Sequence, residues 1–248
     1  MRLDPFRIQV LTLSLDSQFV LILVGLAAAG WMFGKAARRH ELDLGAGHWW
    51  DLAIYAAVGG RLLWIVGHPD YYLRQPLQAV VILDGGLSTV GLALGAGYWI
   101  WRSSRIENAA PWWLLVDLVA IAALTALLFE RVGCALTTCG SGPVSQVPWA
   151  MLRGDAWQMP MALEQVAVLA VALAVGVEAM HRRRAAFATA LVAWVLVETI
   201  ELWAGRSVIE GVLTLAALLM MYAMPWAYAV ASRRAAQRSK KALGRLEQ

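Results

Sequence analysis

The chain is 248 residues long, 60% hydrophobic and only 15% charged, with a mean hydropathy of +0.60. Soluble domains run at about 45–50% apolar and about 25% charged, so these values exclude a water-soluble globular enzyme and indicate an integral membrane protein. The net charge of +4 reflects topology rather than nucleic-acid binding, because no aromatic-basic stripe accompanies the basic residues.

The opening MRLDPFRIQVLTLSLD holds two arginines and two aspartates where a cleaved signal would need a basic start, a short apolar core and a small-residue cleavage site. The first apolar run, 17–34, therefore reads as a retained span. Further runs follow at 48–67, 85–102, 112–130, 162–180, 185–203 and 208–230. Most approach the roughly 20 residues a helix needs to cross a hydrocarbon core. The expected fold is all-α, a polytopic membrane protein of about seven transmembrane helices forming a single domain over 1–248.

Basic residues fall after alternate spans: Lys35, Arg38 and Arg39; Arg102 and Arg105; Arg182, Arg183 and Arg184; then Arg233, Arg234, Arg238, Lys240, Lys241 and Arg245. These are fourteen of the 21 basic residues. The positive-inside rule makes that side cytoplasmic, with the N-terminus outside and the C-terminus inside. The tail 232–248 is then a basic cytoplasmic segment lying against anionic headgroups. Paired tryptophans at span ends, Trp49-Trp50 and Trp112-Trp113, read as interface anchors.

The two longest polar interruptions, 67–84 and 131–160, both fall outside on this topology. In the first, GGRLLWIVGHPDYYLRQPLQAVVILDGGLS places Arg61 inside the second span and Asp84, Gly85 and Gly86 at the mouth of the third. An arginine in a span needs a wet cavity or a partner. It is read either as functional or as paired within the protein. The double glycine permits close backbone approach, and amides opening the next helix can receive a phosphate.

The second interruption, FERVGCALTTCGSGPVSQVPWAM, puts Arg131, Gly133, Cys134, Cys139 and Gly142 directly after the fourth span. Disulfides persist on the outer side, and C-x4-C closes if the helix ends by Gly133. In a continued helix a five-residue offset of about 500° would leave the cysteines about 140° apart. Inert packing and a nucleophilic thiol with a pKa lowered by Arg131 are the alternatives. No metal is expected, since of the histidines at 40, 48, 68 and 181 only His68 shares that face.

The order GGRL, HPDYYLRQPLQ, DGGLS with Gly91, an Asp117-bearing span, ERVGC, Gly142 and PWAM resembles the bacterial prolipoprotein diacylglyceryl transferases. The resemblance covers roughly residues 17–225. It implies seven spans with the N-terminus outside, in the plasma (inner) membrane, and no cofactor. The activity it implies is transfer of a diacylglyceryl group from phosphatidylglycerol to the cysteine thiol of a lipoprotein precursor signal peptide, with departure of a glycerol phosphate. Arg131 aligns with the family's essential arginine, and a guanidinium suits the phosphate charge that develops. Arg61, Asp84, Gly85, Gly86, Ser88, Gly91, Gly133 and Gly142 then stand as substrate-binding positions, and Cys134, Cys139 and Glu201 join Arg131 as catalytic candidates. Asp51 matches the second span, and Pro148 and Trp149 match the outer loop.

The departures fall on chemistry. The family's third-span histidine aligns with Val90, the asparagine after the arginine with Cys134, and the later glutamate with Cys139. The first-span tyrosine is Gln18, and the sixth-span arginine is Val197. Two functions are therefore carried: a phosphatidylglycerol-dependent diacylglyceryl transferase, and a lipid-binding or thiol-redox membrane protein on the same fold without turnover.

Overall fold

The computed structural model describes residues 7–10, 13–79, 86–105, 110–137, 142–144, 148, 150–153, 156–181, 190–197, 212 and 216. The chain forms two compact units, Met1–Trp49 with Leu114–Gly211, and Trp50–Trp113 with Val212–Gln248. Among the described residues, four helices are long and apolar enough to cross a membrane: Gln18–Arg39, Ala46–Gly67, Trp112–Leu136 and Met161–Met180.

The first unit opens with strands β1 (Arg7–Val10) and β2 (Leu13–Asp16), paired antiparallel from Arg7 opposite Asp16 to Val10 opposite Leu13. Helix α1 (Ser17–Arg39) follows directly. It ends in a Schellman motif: Glu41 lies at φ 56°, Glu41 N donates to Arg38 O, and Leu42 N donates to Ala37 O. A glutamate thus fills a left-handed position that usually takes glycine.

Helix α5 (Trp112–Leu136) carries the core of this unit. Its residues 114–122 are all buried, an apolar run with one acid, Asp117. Small residues let its neighbours approach. A Cβ on Gly25 of α1 would sit 2.7 Å from Phe129 Cβ, and one on Gly176 of α6 (Met161–His181) would sit 3.1 Å from Ile121 Cδ1. Leu124, Leu169 and Ala172 close the core with Ala193 and Val197 of a further helical segment, 190–197. Between α5 and α6 runs a small antiparallel hairpin, β3 (Met151–Arg153) and β4 (Ala156–Gln158).

The second unit contains most of α2 (Ala46–Gly67), the short α3 (Pro69–Arg74), a 3₁₀ turn at Pro76–Ala79 and α4 (Thr89–Arg105). Here α2 and α4 touch backbone to backbone. A Cβ on Gly91 would lie 2.3 Å from Gly59 O, and one on Gly95 would lie 2.1 Å from Tyr55 O. The spacing Gly91-x-x-x-Gly95 is the small-residue pattern that brings membrane helices together. At one end of this contact Ser88 N donates to Gly60 O at 3.0 Å. At the other end Arg102 donates to Tyr55 Oη, and its guanidinium lies over the same ring.

The two hairpins, α3 and the 3₁₀ turn stand where all-helical spans and plain loops are expected from the sequence. The sixth run is described only over 190–197 and the seventh only at 212 and 216; the basic tail 232–248 lies outside the described residues.

Candidate functional site

In the second unit the C-terminal end of α2 builds a cavity of about 270 Å³ lined by Arg61, Trp64, His68, Tyr71, Tyr72, Gln78 and Gly86. Arg61 and Trp64, three apart, share one face of α2, and His68 follows the last residue of that helix. Arg61 is 7% exposed. Its Nη1 donates to Gly86 O at 3.1 Å, its Nη2 donates to Gln78 O, and its guanidinium stacks 5.4 Å from the Tyr72 ring centre. The buried cation is thus compensated by backbone carbonyls on both sides of segment 79–85, as a charge in a span requires. Its first role is to tie Gln78 and Gly86 to α2.

Gly86 sits at φ 80°, and a Cβ there would lie 2.2 Å from Trp64 Nε1. Only glycine satisfies both the left-handed backbone and the tryptophan wall. Helix α4 begins at Thr89, three residues beyond Gly86, so the double glycine does not supply the helix-opening amides expected from the sequence. Ser88 is the N-cap instead. Its Oγ accepts from Gly91 N at 3.4 Å, and its own amide is bonded to Gly60 O. The Ser88 and Gly91 amides are thus bonded inside the protein at the start of α4.

In the first unit α5 runs past Gly133 to Leu136, so Arg131, Gly133 and Cys134 ride on its last turns rather than on a loop. Arg131 Nε lies 3.0 Å from Glu130 Oε2, with the two side chains 22% and 31% exposed. Glu130 is a site residue for which the sequence reading assigned no role; its signal was the adjacent opposite charge. Gly133 packs on α1: a Cβ would lie 3.1 Å from Gln18 Cα, and Thr137 Oγ1 reaches Gln18 Oε1 at 3.4 Å. Gly142 N donates to Met159 O at 2.9 Å, and a Cβ on Gly142 would meet that same carbonyl at 2.9 Å. Asp117 is 14 positions from Arg131, about 21 Å along the helix, and belongs to the buried core rather than to this end.

Cys134 is buried and disulfide-bonded, packed with Ala135 and Ala162. No described cysteine is a free thiol, so Cys134 is not the nucleophile considered from the sequence. The condition that the helix end by Gly133 is also corrected: the chain leaves the helix at Leu136, two residues after Cys134, and the bond forms nonetheless. Alkylation under denaturing conditions should label Cys134 only after reduction, as read by mass spectrometry; labelling without reductant would contradict the bonded state. Asp84, Gly85, Cys139, Trp149 and Glu201 lie outside the described residues.

Trp64, Tyr71, Tyr72 and Gln78 were missed as lining residues by sequence reasoning, although the spacing of Arg61, Trp64 and His68 was there to be read. Among the described residues no cluster of His, Cys, Asp or Glu could hold a metal ion.

Apolar helices, a buried arginine at one span's end and an arginine-glycine turn at another's define a helical membrane protein with polar sites at its helix ends. The model of the prolipoprotein diacylglyceryl transferase family matches residues 5–233, and the chain belongs to that family. It is 29% identical over 171 residues to the phosphatidylglycerol–prolipoprotein diacylglyceryl transferase of Methylocella silvestris, covering 64% of this chain and 61% of the relative. The enzymes of the same name from Geobacter sulfurreducens and Shewanella oneidensis are each 30% identical, over 158 and 163 residues, covering 60% and 61% of this chain and 59% of each relative. The chain thus spans about three fifths of the length of these relatives.

Proposed function

We propose that this protein moves a diacylglyceryl group from phosphatidylglycerol to the cysteine thiol of a lipoprotein precursor, acting as a multi-pass protein of the bacterial inner membrane. The observation that carries this reading is the family match across 5–233 with Arg131 retained on the last turns of α5. The names of the relatives support the lipid donor and the protein acceptor. The distribution of basic residues supports seven spans with the N-terminus outside, the C-terminus inside and a basic cytoplasmic tail over 232–248.

In this reading the acceptor thiolate displaces phosphate from the glyceryl carbon. A C–S bond forms, the C–O bond breaks, and the electron pair stays on glycerol phosphate, whose charge rises by one. A guanidinium stabilises that added charge more strongly in a site shielded from water.

A second reading, lipid binding without turnover or a thiol-redox role, draws on one observation. Val90 stands on the first turn of α4 where the family carries a histidine, and valine accepts no proton. The deciding experiment supplies the full-length protein, in vesicles of labelled phosphatidylglycerol, with a lipobox-cysteine peptide. Lipidated peptide with release of glycerol phosphate is the expected result. Retention of labelled lipid without peptide lipidation would replace the transferase reading with the binding one.

A further inference from the structure

We propose that His68 accepts the proton of the thiol this protein lipidates, which makes it a catalytic residue of the cavity beside Arg61. This rests on the transferase reading above. A cysteine thiol has a pKa of about 8.5 and is mostly protonated at neutral pH, while the thiolate is the nucleophile. The matching base is a group that titrates near neutrality, and imidazole is the side chain that does so.

The structure narrows the choice. Helix α4 carries no titratable side chain before Tyr98. Of the described histidines outside the cavity, His40 lies in the turn after α1, His48 on the first turn of α2 and His181 at the end of α6. His68 follows the last residue of α2 and lines the cavity with Arg61 and Gly86. Its ring stacks on Trp64 at 4.1 Å between centres, with 26° between the planes. Its Nδ1 lies 3.0 Å from Trp64 O.

That contact assigns the tautomer. A carbonyl oxygen only accepts, so Nδ1 carries the hydrogen, and in the neutral ring Nε2 is the nitrogen with the lone pair. Stacking and hydrogen bond together hold the ring in one orientation, and no other described side chain bonds to Nε2. Such an imidazole is poised to receive a proton and needs no rearrangement to do so.

The thiol proton passes to His68 Nε2, and the sulfur electron pair forms the C–S bond to the glyceryl carbon. The C–O bond to phosphate breaks, its electron pair leaves on glycerol phosphate, and the imidazolium returns its proton to that product or to water. The titratable and charged groups around the ring are Arg61, Tyr71 and Tyr72 in the cavity, with Asp70 and Arg74 exposed on α3. Arg61 places positive charge in the cavity where the thiolate forms.

The test compares wild type with His68→Ala and His68→Gln in the vesicle assay, at pH 7 and near pH 9.5. Glutamine retains an N–H for the Trp64 carbonyl but accepts no proton. Both variants should transfer about 100-fold more slowly at pH 7. The deficit should narrow to within about tenfold at the higher pH, where a thiol of pKa about 8.5 ionises without help. Wild-type rates in both variants would overturn the role of His68 while leaving the transferase reading intact. So would a deficit unchanged between the two pH values, or full activity in His68→Gln alone, since each marks a structural role. Absence of transfer by the wild type would sink the transferase reading and this inference with it.

Discussion

Replacing Arg131 with alanine is expected to lower the transfer rate about 1,000-fold, equivalent to about 4 kcal/mol of lost transition-state stabilisation. The leaving phosphate gains a full charge as the C–O bond breaks, so the guanidinium interacts more strongly with the transition state than with bound lipid. The loss should therefore appear mainly in kcat, with KM for phosphatidylglycerol changed much less. Glu130 does not stand in the way. The two side chains are partly exposed, and an ion pair in that setting contributes at most about 1 kcal/mol, a small term beside the loss expected here. Arg131→Lys should recover only part of the activity, because an ammonium keeps the charge without the planar fork that meets two phosphate oxygens. The measurement is single-turnover lipidation of a lipobox peptide in phosphatidylglycerol vesicles, with retention of the Cys134 disulfide as the check on folding. An alanine variant within tenfold of wild type would remove Arg131 from the chemistry.

The fold was legible wherever hydropathy is uninterrupted. The runs 17–34, 48–67, 112–130 and 162–180 correspond to Ser17–Arg39, Ala46–Gly67, Trp112–Leu136 and Met161–His181. Errors occur at the ends, where polar residues extend a helix past its apolar stretch. Arg131 and Gly133 read as loop because charge and glycine break an apolar run, yet α5 continues through them. Tertiary contact explains that continuation: Gly133 packs on Gln18 of α1, which a free helix end would not do. The start of α4 was misread in the opposite direction, since apolarity continues back to residue 85 while Ser88 caps the helix. The hairpins escaped notice because two strands of three or four residues carry too little alternation to register against flanking spans.

The candidate site was legible residue by residue but not as an arrangement. Arg61 was identified by its presence in a span; that its guanidinium is bonded to Gly86 O and Gln78 O depends on where the chain returns, which spacing does not encode. Gly91 was identified through the family pattern as a substrate-binding position. Its position against Gly59 O gives it a packing role that acts on the site through the helices.

That packing role leads to the second large effect. Gly95→Ala is expected to lower the melting temperature of the detergent-solubilised protein by about 4–8 °C, the upper part of the range that overpacking energies give, and Gly91→Ala by a similar amount. Each new methyl would meet a backbone carbonyl, Tyr55 O at 2.1 Å and Gly59 O at 2.3 Å, and a carbonyl within a helix cannot rotate aside as a side chain does. The helices must separate, and overpacking of this kind costs about 1–3 kcal/mol or more, which outweighs the gain of about 1 kcal/mol from replacing glycine inside a helix. For a chain of this size each kcal/mol moves the midpoint by about 2–4 °C. Gly34→Ala is the internal control. Its Cβ would meet only the end of the Arg38 side chain at 3.4 Å, so the helix-propensity gain should survive and the midpoint should hold or rise. The double variant Gly91→Ala/Gly95→Ala distinguishes contact from general helix damage. Once the first methyl has forced α2 and α4 apart, the second finds its clash already relieved, and the combined loss should be well short of the two single losses added together. Full additivity would mean that the two glycines act separately. Separation of the helices would also strain the Ser88–Gly60 bond and the Arg61–Gly86 bond beside this contact, so vesicle transfer should fall in the same variants even at temperatures where they remain folded.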